Sequence, residues 1–271
     1  MVTTDTPAAV TGWQSMEHES ATRRAHARPS RPNAMRMATL HHPAVDPHDQ
    51  PDWRDGDLDA VYGSRFDAVR YARKRAVWRE LGRYLQRYIP PDATVLDLAS
   101  DGGHFLAGIT AATKVAVDIR DTSAGMPADV HFVQSDSLRL RESMPVGSFD
   151  VVFISNFPEH LPSRQAVIDQ MHVVFDLLRP GGRVIVLQPN VRLTGGSYWD
   201  FIDHSTPLTE RSLAEAAALA GFRSHTVVTR FLPYTTKGRL PTPPLLVRLY
   251  LRCRPAWLLL GKQSLYVGEK P

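Results

Sequence analysis

From Ser64 onward, amphipathic stretches alternate with short apolar runs, and the period of the hydrophobic positions changes with each. Between Ser64 and Tyr88, the residues Phe66, Val69, Ala72, Ala76, Leu81, Leu85 and Tyr88 form a rough helical stripe. Ser64 supplies a cap for that helix and Pro90-Pro91 ends it. Compact runs of Val, Leu, Ile and Phe then predict strands at 94–98, 114–118, 130–134, 149–155 and 183–188. Val151-Val-Phe-Ile154 is apolar throughout, which suits a strand covered on both faces. Between these runs the pattern predicts helices at 103–112 and 163–178 and a short turn near 137–143. The helix at 163–178 sets Val167, Met171, Val174 and Leu178 on one face, with Gly181-Gly182 just past its end. A loop at 189–207 leads to a helix at 208–220, rich in strong helix formers and closed by Gly221. Further strands are predicted at 222–231 and 263–269. Strand–helix alternation with short connections predicts an α/β fold with a doubly wound, mostly parallel, seven-stranded sheet.

Composition narrows this picture. At 271 residues, with 43% hydrophobic and 22% charged positions, the chain suits one large domain with a substantial core. A net charge of +4 gives little reason to expect nucleic acid as a partner. The single cysteine, Cys253, excludes an internal disulfide framework and a cysteine-based zinc site. No apolar run nears the roughly 20 residues of a transmembrane span, and nothing resembles a signal peptide, so a cytoplasmic enzyme is expected. Residues 1–55 mix Pro, His, Ser, Thr, Arg and Asp without period and are expected to be a disordered tail, leaving 56–271 as the domain. The tail holds five of the eleven histidines, which are expected to be solvated.

Chemistry concentrates at the strand ends. Val95–Leu98 stops beside Asp97 and turns through Ala99, Ser100, Asp101 and Gly102 to Gly103, the way a nucleotide-binding α/β domain begins. Asp118 ends the second strand, twenty-one residues after Asp97, and Asp136 follows the third. Acids at successive strand ends share the edge where open parallel sheets bind ligands. A carboxylate there accepts both hydroxyl protons of a ribose, which points to a nucleoside ligand. A dehydrogenase would need Gly-x-Gly-x-x-Gly after the first strand, and that pattern is absent.

With Val95-Leu-Asp-Leu98, Val115-Ala-Val-Asp118, Gln134-Ser-Asp136, Gly147-Ser-Phe-Asp-Val-Val-Phe153, Glu159-His-Leu161 and Leu177-Leu-Arg-Pro-Gly-Gly-Arg-Val184 in this order, the chain resembles the class I S-adenosylmethionine-dependent methyltransferases over roughly residues 60–270. Tyr198-Trp-Asp-Phe201, Asp203-His204 and Arg230-Phe-Leu-Pro-Tyr-Thr235 make it similar to bacterial members of sugar and natural-product pathways. The resemblance implies a Rossmann-like methyltransferase fold with an antiparallel last strand, S-adenosylmethionine as cofactor, and methyl transfer (EC 2.1.1) to a small molecule. It implies that Ala99, Ser100, Asp101 and Gly103 wrap the methionine part, beside Asp97, and that Asp118 holds the ribose. Ile119 would lie on the adenine, Asp136 would meet its amino group with Ser137 nearby, and Asn156 and Phe157 would line the pocket. The family's usual loop is acid-x-Gly-x-Gly-x-Gly, and Ala99 and Asp101 stand where two of those glycines would be. Asp101 either enters the cofactor's space, accepts from its ammonium group, or caps the following helix. A methyltransferase-fold protein with altered chemistry, a cyclase or a cofactor binder, is the competing expectation.

Histidine is the usual side chain for taking a hydroxyl proton near neutral pH. His160 follows the fourth strand and either serves this role or caps a turn. His204 lies in the 189–207 loop with Asp203 placed to orient it, while Tyr198, Trp199 and Phe201 either stack on an acceptor or pack the loop. No metal is expected: one near Glu159 and His160 has no readable ligand set. The helical insert at 243–260 carries leucines between arginines. It is expected to be a lid or homodimer surface, with contact to an anionic membrane surface as the alternative.

Overall fold

The computed structural model describes residues 56–57, 60–61, 68–234 and 243–271. The expected tail, the helix start at Ser64 and the first residue of its stripe, Phe66, lie outside them. Helix α1 runs over Ala68–Leu85 and ends in a 3-10 turn, Gln86–Tyr88, before the two prolines. Seven strands follow: β1 Thr94–Leu98, β2 Thr113–Asp118, β3 Val130–Gln134, β4 Phe149–Ser155, β5 Leu178–Pro189, β6 Arg223–Leu232 and β7 Gln263–Glu269. Helices α2 Arg164–Leu177, α3 Val191–Thr194 and α4 Glu210–Leu219 precede β6, and α5 Pro244–Arg252 and α6 Arg254–Leu260 precede β7.

The strand order is β3-β2-β1-β4-β5-β7-β6. Neighbours from β3 to β5 are parallel, and β7 runs antiparallel between β5 and β6, so the expected sheet is found. Alternate strand residues serve two cores. Val95, Ala116, Val151, Phe153, Ile185 and Val267 join Leu81 and Leu85 of α1, Leu251 of α5 and Trp257 of α6 in one buried cluster. The intervening positions, such as Leu96, Val152, Ile154 and Val184, are equally buried, as are Val167, Met171 and Val174 of α2. Ser163 caps α2 by accepting from the Ala166 N–H, and Thr209 caps α4 with Ser212 in a reciprocal box.

The helix expected at 103–112 does not form: only a 3-10 turn, Leu106–Gly108, stands there. Helix α1 occupies that layer. A Cβ at Gly82 of α1 would lie 2.6 Å from the Gly108 carbonyl oxygen, so the two backbones touch and leave no room for a full helix diameter. Sequence period cannot register this, because the competitor lies earlier in the chain.

The 243–260 segment is helical, as expected. Arg248 of α5 reaches the buried Glu80 of α1 through Nε and a terminal nitrogen, both at 2.9 Å. Leu245, Leu246, Leu249, Leu258, Leu259 and Leu260 remain exposed. Among the described residues no helix is long and apolar enough to cross a membrane.

Candidate active site

The order of the strands reverses between β1 and β4, and their carboxyl ends open the crevice where such sheets bind ligands. The loop after β1 has the backbone of a glycine loop without its glycines. Ala99, Asp101 and Gly103 take φ of 56°, 48° and 65°. For a residue with a Cβ this left-handed region costs about 1–2 kcal/mol, less for Asp. Hydrogen bonds hold the shape: Ser100 N–H donates to the Val117 carbonyl (2.9 Å) and Gly103 N–H to the Ser100 carbonyl (3.0 Å). Met126 packs on the face of Gly103 that a Cβ would fill.

Asp101 neither caps a helix nor points alone into the crevice. Lys74 Nζ of α1 donates to its Oδ2 at 2.7 Å, and Arg120 lies 3.3 Å from its Oδ1. Burial pushes the Asp101 carboxyl up, but Lys74 and then Arg120 outweigh it and hold it below its ordinary value. The Asp101 N–H donates to Asp118 Oδ2 (3.0 Å) and the Arg120 N–H to Asp118 Oδ1 (3.0 Å). Burial raises the Asp118 pKa despite these donors. Asp97 is buried and raised well above its ordinary value, first by burial and then by Asp118 and Asp101.

The other expected cofactor residues sit on the same edge. Ile119 is exposed directly after β2. Asp136 accepts from the Leu138 N–H (2.9 Å) and so caps a 3-10 turn, and buried Ser137 donates to Gln170 of α2. Asn156, with φ of 48°, and Phe157 form the turn after β4. Lys74 and Arg120 were not predicted. Arg120 is signalled only by standing two residues past Asp118, and Lys74 by nothing local.

A second group gathers beyond β4 and β5. The Ser205 and Thr206 N–H groups donate to the Glu159 carbonyl, Thr206 Oγ1 donates to the Leu161 carbonyl, and Tyr198 Oη donates to the Thr206 carbonyl. These bonds clamp the 198–206 loop to 159–161 and bring the His160 and His204 ring centroids to 5.0 Å. Asp203 contacts His160: His160 Nδ1 lies 2.9 Å from the Asp203 carbonyl and 3.3 Å from Oδ2. Tyr198 is fully buried and its hydroxyl donates to the Thr206 carbonyl, which favours the packing alternative for this residue. Phe201 stacks on His204 at 5.1 Å, while Trp199 is exposed. Glu159 is buried, its Oε2 has no hydrogen-bond partner, and burial raises its pKa to about 8, with Asp203 adding to the rise.

Fold and site together define a Rossmann-like methyltransferase. Residues 68–227 match the model of the "Methyltransferase domain" family, and the chain belongs to that family. Its fold is shared with a SAM-dependent methyltransferase from Archaeoglobus fulgidus (20% identity, TM-score 0.52, covering 71% of this chain and 94% of that one). It is shared too with geranyl diphosphate C-methyltransferase from Streptomyces coelicolor A3(2), solved with S-adenosyl-L-homocysteine (15%, 0.51, 70% and 77%). The [4+2]-cyclase SpnF is similar at 16% identity, TM-score 0.50, covering 71% of this chain and 80% of that one. No curated protein matches the chain. S-adenosylmethionine is the cofactor that goes with this family. The residues present suit it: the loop backbone has the required left-handed turns, and each Asp118 oxygen retains a lone pair beyond its backbone donor. Ser100 Oγ is buried in the loop with no protein partner.

Proposed function

We propose that the protein transfers a methyl group from S-adenosylmethionine to an oxygen of a small-molecule acceptor, a sugar or secondary metabolite. The observation that carries this reading is the His160–Asp203 pair with His204 beside it, on the same sheet edge as the left-handed loop and Asp118. On the cofactor side, Ala99, Ser100, Asp101 and Gly103 cradle the amino-acid end next to Asp97, and Asp118 takes the ribose. Ile119, Asp136, Ser137, Asn156 and Phe157 border the base. When bound, the cofactor supplies a methyl group on a positively charged sulfur.

The chain's own residues orient the acceptor and handle its proton. The cofactor would supply the methyl group to the acceptor oxygen, and the hydroxyl proton would leave on the side where His160, His204 and Asp203 gather. Phe201 and Trp199 offer the flat surfaces for the acceptor. Positioning in line supplies most of the rate in such a displacement, and a placed proton acceptor adds roughly 10²–10⁴-fold.

The competing reading, a fold that binds cofactor or rearranges substrates without methyl transfer, is favoured by one observation. The Arg120 guanidinium stands 3.5 Å from Asp118, over the carboxylate a ribose would use. Labelled-methyl transfer from S-adenosylmethionine to a panel of nucleotide sugars, free glycosides and phenols separates the two. Label in product supports methyl transfer, and substrate consumed without label supports the alternative.

A further inference from the structure

We propose that Glu159, His160 and His204 bind one divalent transition-metal ion, with Asp203 positioning His160 for it. The sequence alone conceals this set, because His204 lies far along the chain and reaches the others only through the clamp between 198–206 and 159–161. In the folded protein, one ligand atom from each of the three lies within 4.8 Å of the others. Two donors at about 2.1 Å from one ion stand at most about 4.2 Å apart, so side-chain rotations of well under an ångström per group close the set.

Two further observations point to an ion. Glu159 is 2% exposed and its Oε2 has no hydrogen-bond partner. A buried carboxyl oxygen left unmatched is costly, and buried acids are ordinarily paired or metal-bound. His160 Nδ1 lies 2.9 Å from the Asp203 carbonyl and 3.3 Å from its Oδ2, so Asp203 backs the imidazole and fixes its orientation. A carboxylate behind a ligating imidazole is the usual outer partner of such sites.

Two imidazoles and one carboxylate favour Zn²⁺, Co²⁺, Fe²⁺ or Mn²⁺ over the all-oxygen preference of Mg²⁺. Three protein ligands leave positions open for acceptor oxygens, so the acceptor class is one that chelates: a diol, a hydroxy-carbonyl or a catechol-like pair. The ion would acidify the bound hydroxyl, so that its proton passes to solvent water while the imidazoles hold the ion. This role for the ion rests on the methyl-transfer reading; the binding itself does not.

The test is a CoCl2 titration of the full chain after chelator treatment, followed by visible d–d absorption. Bands that saturate at one equivalent are expected. Glu159→Gln and His204→Ala should each weaken Co²⁺ binding by roughly 100-fold or more, and Asp203→Asn by about 10-fold. His41→Ala with His42→Ala should change nothing. Absent bands, or equal affinity in Glu159→Gln and His204→Ala, would overturn the proposal. S-adenosylhomocysteine binding, measured by calorimetry on the same samples, reports on the methyltransferase site separately. If it persists while cobalt fails to bind, the metal assignment alone is wrong; cobalt binding without it upholds the metal and removes the methyl-transfer reading.

Discussion

The backbone N–H of Asp101 donates to Asp118 Oδ2 over 3.0 Å, tying the loop after β1 to the acid that ends β2. That acid therefore shapes the loop after β1, besides the ribose role proposed for it. Asp118→Ala should weaken S-adenosylhomocysteine binding at least about tenfold, the equivalent of about 1.4 kcal/mol. Melting temperature should drop too, since two backbone donors lose their acceptor. Unchanged affinity in a titration of the variant would remove Asp118 from the ribose role.

Ala99 holds a glycine conformation with a Cβ attached. Ala99→Gly should relieve about 1 kcal/mol and raise the melting temperature by roughly 2–4 °C, readable by calorimetry. Asp101→Gly should gain less, because it also discards the contacts to Lys74 and Arg120. A lower melting temperature for Ala99→Gly would contradict the strain.

His104 is buried behind the loop, and burial, then Lys74, lower its pKa from 6.5 to about 4. Between these values the unfolded chain binds a proton that the folded protein refuses. Stability should therefore fall as pH drops from 6.5 toward 4, with a slope approaching about 1.4 kcal/mol per pH unit. Urea unfolding across this range should show a shallower slope in His104→Gln. The same slope in both proteins would assign the acid sensitivity elsewhere.

The strands were legible because a sheet buried on both faces demands continuous apolar runs, and Val151–Ile154 could satisfy little else. The acids at the strand ends followed from topology alone. The helix at 103–112 was misread because the contact between Gly82 and Gly108 is non-local. The contacts that tie the second group together were hidden for the same reason. Asp203 reaches His160 across a long stretch of sequence, and Tyr198 turns its ring inward as its hydroxyl donates to the Thr206 carbonyl.

His204→Ala separates the acceptor side from the cofactor side. Turnover should fall roughly 100-fold or more, while S-adenosylhomocysteine affinity stays within about twofold of the parent. Full activity in single-turnover assays would clear His204 of any part in the reaction.

A loop lacking two of its usual glycines is expected to bind S-adenosylmethionine all the same. Isothermal titration of the full chain with S-adenosylmethionine and S-adenosylhomocysteine tests it most directly. Saturable binding of both is expected, at one site per chain. No heat from either ligand up to high micromolar concentration would contradict it, and would mean that Arg120 and Asp101 close the crevice instead of framing it.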